Sequence, residues 1–183
     1  MDRKKFMQAA GLGLGIAIVP GISNSHPEAE KELSNSAMKP KIIKDKEGQI
    51  LNVIGDIQTH KLVGSETNNQ IVEWVDNVEP GVGIPPHFHS REDEIFRVIK
   101  GEIEITVDGK TTVLKAGDTA FAPKNLPHAW KVVGTEKAKM ITTAFPAGIE
   151  KMFKELADLP PGPPDFEKVA TICGNYGVKF VKA

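Results

Sequence analysis

The sequence predicts an all-β domain, a barrel or sandwich of seven or eight short strands. Three observations predict it. From about Ile50 to Ala144, segments rich in β-branched and aromatic residues are bounded by Gly, Asn, Ser, Asp or Pro. One pair of segments is an explicit hairpin. Glu102–Val107 alternates strictly, Asp108-Gly109 follows, and Lys110–Leu114 alternates again. A two-residue Asp-Gly connection is the signature of a type I′ turn, whose two central residues need positive φ. Finally, no stretch in this region carries a helical period long enough to cross over between parallel strands.

Taken in chain order, residues 1–25 read as an export signal. Arg3, Lys4 and Lys5 precede an apolar, Gly/Ala-rich run from Ala9 to Val19, and small residues follow Pro20. Eleven residues are too few to cross a bilayer core of ~30 Å as a helix, so no stable membrane span is expected. The order Arg-Lys-x-Phe-Met resembles a twin-arginine signal with lysine in the second place, and the general secretory route stays open. The expected location is periplasmic or extracellular. Residues 26–48 are polar and aperiodic, as in a linker. Strands are expected over Ile54–Val63 and Ile71–Val75, then in the hairpin, then over Thr119–Ala122, His128–Val133 and Ala138–Ala144, giving a barrel over 49–147.

After Pro146 the period becomes helical, with Ile149, Met152, Phe153 and Leu156 on one stripe. Pro160-Pro161-Gly162-Pro163-Pro164 ends that helix. A short helix near Phe166–Cys173 and a last strand at Val178–Val181 complete a C-terminal extension, 148–183.

Composition narrows the function. The chain has 183 residues and a formal net charge of -1, with acids and bases interspersed. No basic face for nucleic acid is indicated. The single cysteine, Cys173, cannot form an internal disulfide and reads as a small buried apolar residue.

Three of the five histidines fall in one constellation: His87 and His89 in Gly81–Glu94, and His128 downstream. On a strand, positions i and i+2 face the same side, so His87 and His89 aim together. Imidazoles with a carboxylate suit one divalent transition metal, whether iron, manganese, nickel, cobalt, copper or zinc. Glu92, Asp93 and Glu94 compete for the carboxylate. Counting by two, Glu94 shares a face with Phe96 and Val98, whereas Asp93 shares one with Ile95 and Arg97; the face without arginine is the better inner wall, which favours Glu94. Phe96, Trp130, Trp74 and Met140 are candidate pocket lining, each equally readable as plain core. His60 could reach the pocket as an acid or base, or be an ordinary strand residue.

The spacing Gly81-x5-His87-x-His89-x4-Glu94-x6-Gly101, followed by Gly117-x5-Pro123-x4-His128, resembles the two motifs of the cupins. Gly83–His87, Asp93–Phe96, Val107–Gly109, Pro127–Trp130 and Phe145–Phe153 are further similar to the bacterial quercetin dioxygenase group. The likeness runs from about Gly55 to Leu156. Asn125 stands where the second motif has glycine, and Val132 where it ends in asparagine. The resemblance implies a double-stranded β-helix, or jelly-roll, barrel with short C-terminal helices, forming a homodimer. It further implies metal ligands His87, His89, Glu94 and His128, with Glu94 also taking a substrate hydroxyl proton. The expected activity is a metal-dependent dioxygenase on a small phenolic, flavonol-like or enol substrate, with dioxygen as second substrate. A non-catalytic ligand-binding module, or an isomerase, epimerase or lyase on a sugar or keto acid, fits the same barrel.

Overall fold

The structure, a computed structural model, describes residues 38–181; the expected export signal and the start of the linker lie outside the described residues. Among the described residues eleven strands, more than the seven or eight expected, form two antiparallel sheets. They are β1 (Gln49–Val53), β2 (Asp56–Leu62), β3 (Val72–Val78), β4 (Gly83–His89), β5 (Asp93–Lys100), β6 (Glu102–Val107), β7 (Lys110–Lys115), β8 (Thr119–Ala122), β9 (His128–Val133), β10 (Ala138–Phe145) and β11 (Val178–Phe180). The first sheet has the order β1-β2-β3-β10-β5-β8 and the second β11-β4-β9-β6-β7. Two helices, α1 (Glu150–Ala157) and α2 (Phe166–Asn175), separate β10 from β11. No helix among the described residues is long and apolar enough to cross a membrane.

The hairpin forms as its sequence dictates. Asp108 and Gly109 take φ of 49° and 75°, and β6 pairs with β7 from Glu102↔Lys115 to Val107↔Lys110. The first strand differs from expectation. Ile54 and Gly55 form a turn, with φ of 53° and 94°, and the Gly55 amide donates to Asn52 Oδ1 at 2.8 Å. This turn divides a β1–β2 hairpin, so the expected strand at 54–63 begins only at Asp56. A side-chain acceptor that captures a local amide competes with the ladder, which hydropathy alone does not reveal.

The polar stretch from Met38 to Gly48 lies against the barrel. The buried Lys61 ammonium donates to the carbonyls of Lys44 and Asp45, at 3.1 and 2.7 Å, and Lys139 pairs with Asp45. Charge-assisted bonds to main-chain carbonyls hold a segment that has little apolar surface of its own.

Two apolar clusters fill the molecule. One lies between the sheets around Phe96, Val98, Ile103, Ile105, Trp130, Val132 and Met140. The other joins Val72, Trp74 and Ala144 of the first sheet to Met152, Phe153 and Leu156 of α1 and to Val169, Ile172 and Cys173 of α2. The helical stripe expected at Ile149, Met152, Phe153 and Leu156 is buried. Asp165 caps α2, accepting from the amides of Glu167 and Lys168 at 3.1 Å each, directly after the Pro-rich break. The chain then returns as β11 along β4, pairing Val178↔His89 and Phe180↔His87. The C-terminal extension is thereby laid beside the two histidines.

Candidate metal centre

The site is built from three strands. β4 carries His87 and His89 on one face, as period two requires. β9 pairs with β4 so that His87 lies opposite His128. Glu94, at the start of β5 in the other sheet, closes the group. Gly83 makes the β4–β9 approach possible. A Cβ there would lie 2.1 Å from the Trp130 carbonyl oxygen and 2.6 Å from the Lys131 Cα.

All four side chains are buried, and each offers one donor atom lying within 4.8 Å of the others'. Their orientations are fixed from behind. His87 Nδ1 lies 2.9 Å from the Pro85 carbonyl oxygen and His128 Nδ1 lies 3.3 Å from that of Leu126, so both Nδ1–H groups can donate and both Nε2 atoms are free as ligands. His128 Nε2 approaches Glu94 Oε2 at 3.0 Å and His89 Nε2 approaches it at 3.7 Å.

At His87 and Glu94 the protonation states suit a cation. Burial, reinforced by the neighbouring His128 and His89, pushes His87 down to about 3, so its imidazole is neutral and able to ligate. Burial opposes ionisation of Glu94, but the imidazoles around it outweigh burial and hold the carboxyl at about 2. At His89 burial also disfavours the cation, yet Glu94 and then Glu92 outweigh it and raise the pKa. Inward imidazole nitrogens and an ionised carboxylate make the donor set of one divalent transition metal, and the residues fit it.

The three rival carboxylates separate cleanly. Glu94 joins the imidazoles. Asp93 points elsewhere, its Oδ1 accepting from the Lys124 amide at 2.8 Å, which pins the loop before β9. Glu92 is buried behind His89, its Oε2 3.6 Å from His89 Nδ1.

The quartet opens into a mostly apolar cavity of about 640 Å³. Phe96, Trp130 and Trp74 line it, as do His87, His89 and Glu94. Met140 and His60 do not. Met140 is sealed inside the barrel cluster, 1% exposed. His60 stacks on Trp74 with ring centroids 6.0 Å apart and bonds Gln58, so it lies behind the wall; burial lowers its pKa to about 4 and keeps it neutral. Sequence reasoning missed two contributions to the cavity. The C-terminal extension supplies Met152, Phe153, Val169, Cys173, Val178 and Phe180. Asp56, Gln58, Asp76 and Thr142 add buried polar groups. The alternation Asp56, Gln58, His60 is the sequence signal for the polar side of this wall, since period two sets the three on one face.

Comparison with known proteins places these features. Residues 74–144 match the family described as "Cupin domain". The polyketide synthase CurC of Streptomyces cyaneus is 33% identical over 64 residues, covering 35% of this chain and 42% of that protein. The quercetin 2,3-dioxygenase of Bacillus subtilis (strain 168) is 28% identical over 129 residues, covering 69% of this chain and 37% of that protein. The chain thus spans less than half the length of both relatives. The structure of KdgF from Halomonas sp. superposes with a TM-score of 0.55 at 19% identity, covering 62% of this chain and 99% of that one, a likeness of fold.

Proposed function

Because this chain belongs to the cupin family through its residues 74–144, we propose that it is a metal-dependent dioxygenase acting on a phenolic, flavonol-like or related enol substrate. The observation that carries the reading is the junction of the His87, His89, Glu94 and His128 quartet with a largely apolar cavity walled by Phe96, Trp130 and Trp74. Four protein donors leave one or two positions free on a five- or six-coordinate ion. A planar aromatic ligand would rest against apolar walls and turn its oxygens toward the quartet. Similarity to proteins named for quercetin and polyketide chemistry supports the same substrate class.

When bound, the metal would supply Lewis acidity toward a substrate oxygen and, if redox-active, electrons for dioxygen. The remaining work falls to side chains. Glu94, which lines the cavity, is the group that would accept the proton of the substrate hydroxyl at a carboxylate oxygen. The Pro85 and Leu126 carbonyls keep His87 and His128 from turning during that transfer. Side chains of α1, α2 and β11 make that wall of the cavity apolar, which disfavours water beside the reacting oxygens.

The test is oxygen consumption by protein loaded separately with iron, manganese, nickel, cobalt, copper and zinc, across flavonols, catechols and enols. Dioxygen uptake tied to loss of one substrate class supports the proposal; anaerobic turnover of a sugar or keto acid would replace it with an isomerase or lyase. Residues 1–25 would direct the protein out of the cytoplasm, which the N-terminus of secreted material tests. A homodimer is the proposed assembly, which sedimentation of the purified protein tests.

A further inference from the structure

The three histidines turn Nε2 toward the centre, so each calls for something to hold its Nδ1. For His87 and His128 that partner is a main-chain carbonyl two residues earlier, Pro85 and Leu126. His89 has no such carbonyl. Its Nδ1 is buried without a hydrogen-bond partner among the described residues, and so is Oε2 of Glu92. These two orphans face each other at 3.6 Å, with both side chains under 5% exposed. At that separation the contact is an ion-pair approach rather than a formed hydrogen bond.

Among the described residues, His89 is the one salt-bridge partner of Glu92, and the adjacent Arg91 guanidinium turns away to donate to the Asn175 carbonyl at 3.0 Å. A buried carboxylate without a cation is costly, so a side chain in this position needs a compensating partner. The turn after β4 supplies the placement, because Glu92 sits three residues beyond His89 and immediately before β5.

We infer that Glu92 is a positioning residue of the metal centre. Its carboxylate holds His89 in the Nδ1–H tautomer with Nε2 turned inward, and it brings a second negative charge to the site. Glu94 and Glu92 together then balance a divalent cation held by three neutral imidazoles. His89 becomes the one ligand tuned by a charged acceptor, and so the most basic of the three. This inference rests on the metal site and not on any particular reaction, so failure to find dioxygenase activity leaves it standing.

The experiment is metal affinity measured with zinc and manganese against a competing chelator, in wild type, Glu92→Ala, Glu92→Gln and Glu92→Asp. Glu92→Ala should weaken binding roughly 10- to 100-fold. Glu92→Gln should fall between, because an amide oxygen still accepts from Nδ1–H as the two carbonyls do, but without the charge. Glu92→Asp should recover part of the loss. A simple packing role would instead make Gln equivalent to Glu. Wild-type protein gives an independent readout: in the zinc-loaded form, long-range proton–nitrogen NMR should show His89 protonated at Nδ1 and protected from solvent exchange. Affinity of Glu92→Ala within twofold of wild type, or His89 protonated at Nε2, would overturn the inference.

Discussion

His128 Nε2 lies 3.0 Å from Glu94 Oε2, although thirty-four residues separate them and each belongs to a different sheet. The contact joins the two sheets, and a bound ion would replace it as the link between them. Removing either partner therefore bears on metal binding before it bears on folding.

His128→Ala and Glu94→Gln should each lower affinity for zinc or manganese by more than ~100-fold, exceeding the loss typical of groups that only support a ligand. Competition titration and metal analysis of the purified variants check this. A Glu94→Gln protein that keeps one tightly held ion would show that the quartet is not the site.

Stripping the metal should lower thermal stability. An ion present at a hundred times its dissociation constant contributes ~2.7 kcal/mol to the folded state. In a domain of this size that is roughly 5–10 °C in Tm. Calorimetry with and without chelator, repeated on His128→Ala as the non-binding control, measures it. An equal chelator effect on the variant would assign the stabilisation elsewhere.

A second buried acidic pair sets a pH dependence. Asp76 accepts from Trp74 Nε1 at 2.7 Å and from Thr142 Oγ1 at 2.6 Å, while Gln58 Nε2 donates to Asp56 Oδ2 at 2.8 Å. The two carboxyls act on each other electrostatically, and Asp56 Oδ1 is buried without a hydrogen-bond partner among the described residues. Burial raises Asp56, and burial together with the Asp56 charge raises Asp76 well above the usual carboxyl value of 3.8. The folded protein thus holds protons that the unfolded chain has released. Stability from this pair is complete below pH ~3.8 and is lost as pH climbs through the raised values. Asp56→Asn removes the neighbouring charge that helps to raise Asp76. It should be the more stable protein at pH 7 by about 1 kcal/mol or more, with the advantage vanishing toward pH 4. Urea unfolding across that range checks the slope, and a difference that is constant with pH would refute the raised carboxyls.

Two glycine substitutions should behave oppositely at the site. Gly83→Ala drives a Cβ into the β9 main chain, which cannot yield as a flexible side chain would. A loss of about 2–4 kcal/mol is expected, with weakened metal binding because His87 and His128 are paired across that same ladder. Gly109→Ala meets open space but a φ of 75°, so about 1–2 kcal/mol is expected with metal affinity intact. Equal metal affinity in the two variants would mean that the β4–β9 spacing does not position the ligands.

Much of the architecture was legible because its signals are local. The Asp108-Gly109 turn, the strands at Thr119–Ala122 and His128–Val133, and the α1 stripe are each encoded within a few residues. The ligand quartet was legible because period-two geometry and motif spacing place His87, His89 and Glu94 on inward faces. The division of β1 from β2 was not, since it turns on one Asn52 side chain capturing the Gly55 amide.

The sequence by itself determined the all-β class, the inward set of histidines and the carboxylate that joins them. Only the tertiary structure decided that Glu92 stands behind His89, that His60 and Met140 fall outside the cavity, and that β11 returns the C-terminal extension to wall it. Alternation states which way a side chain points from its own strand. Which side chains then meet depends on register between segments as far apart as Val178 and His89, a quantity fixed by the packing of the whole domain.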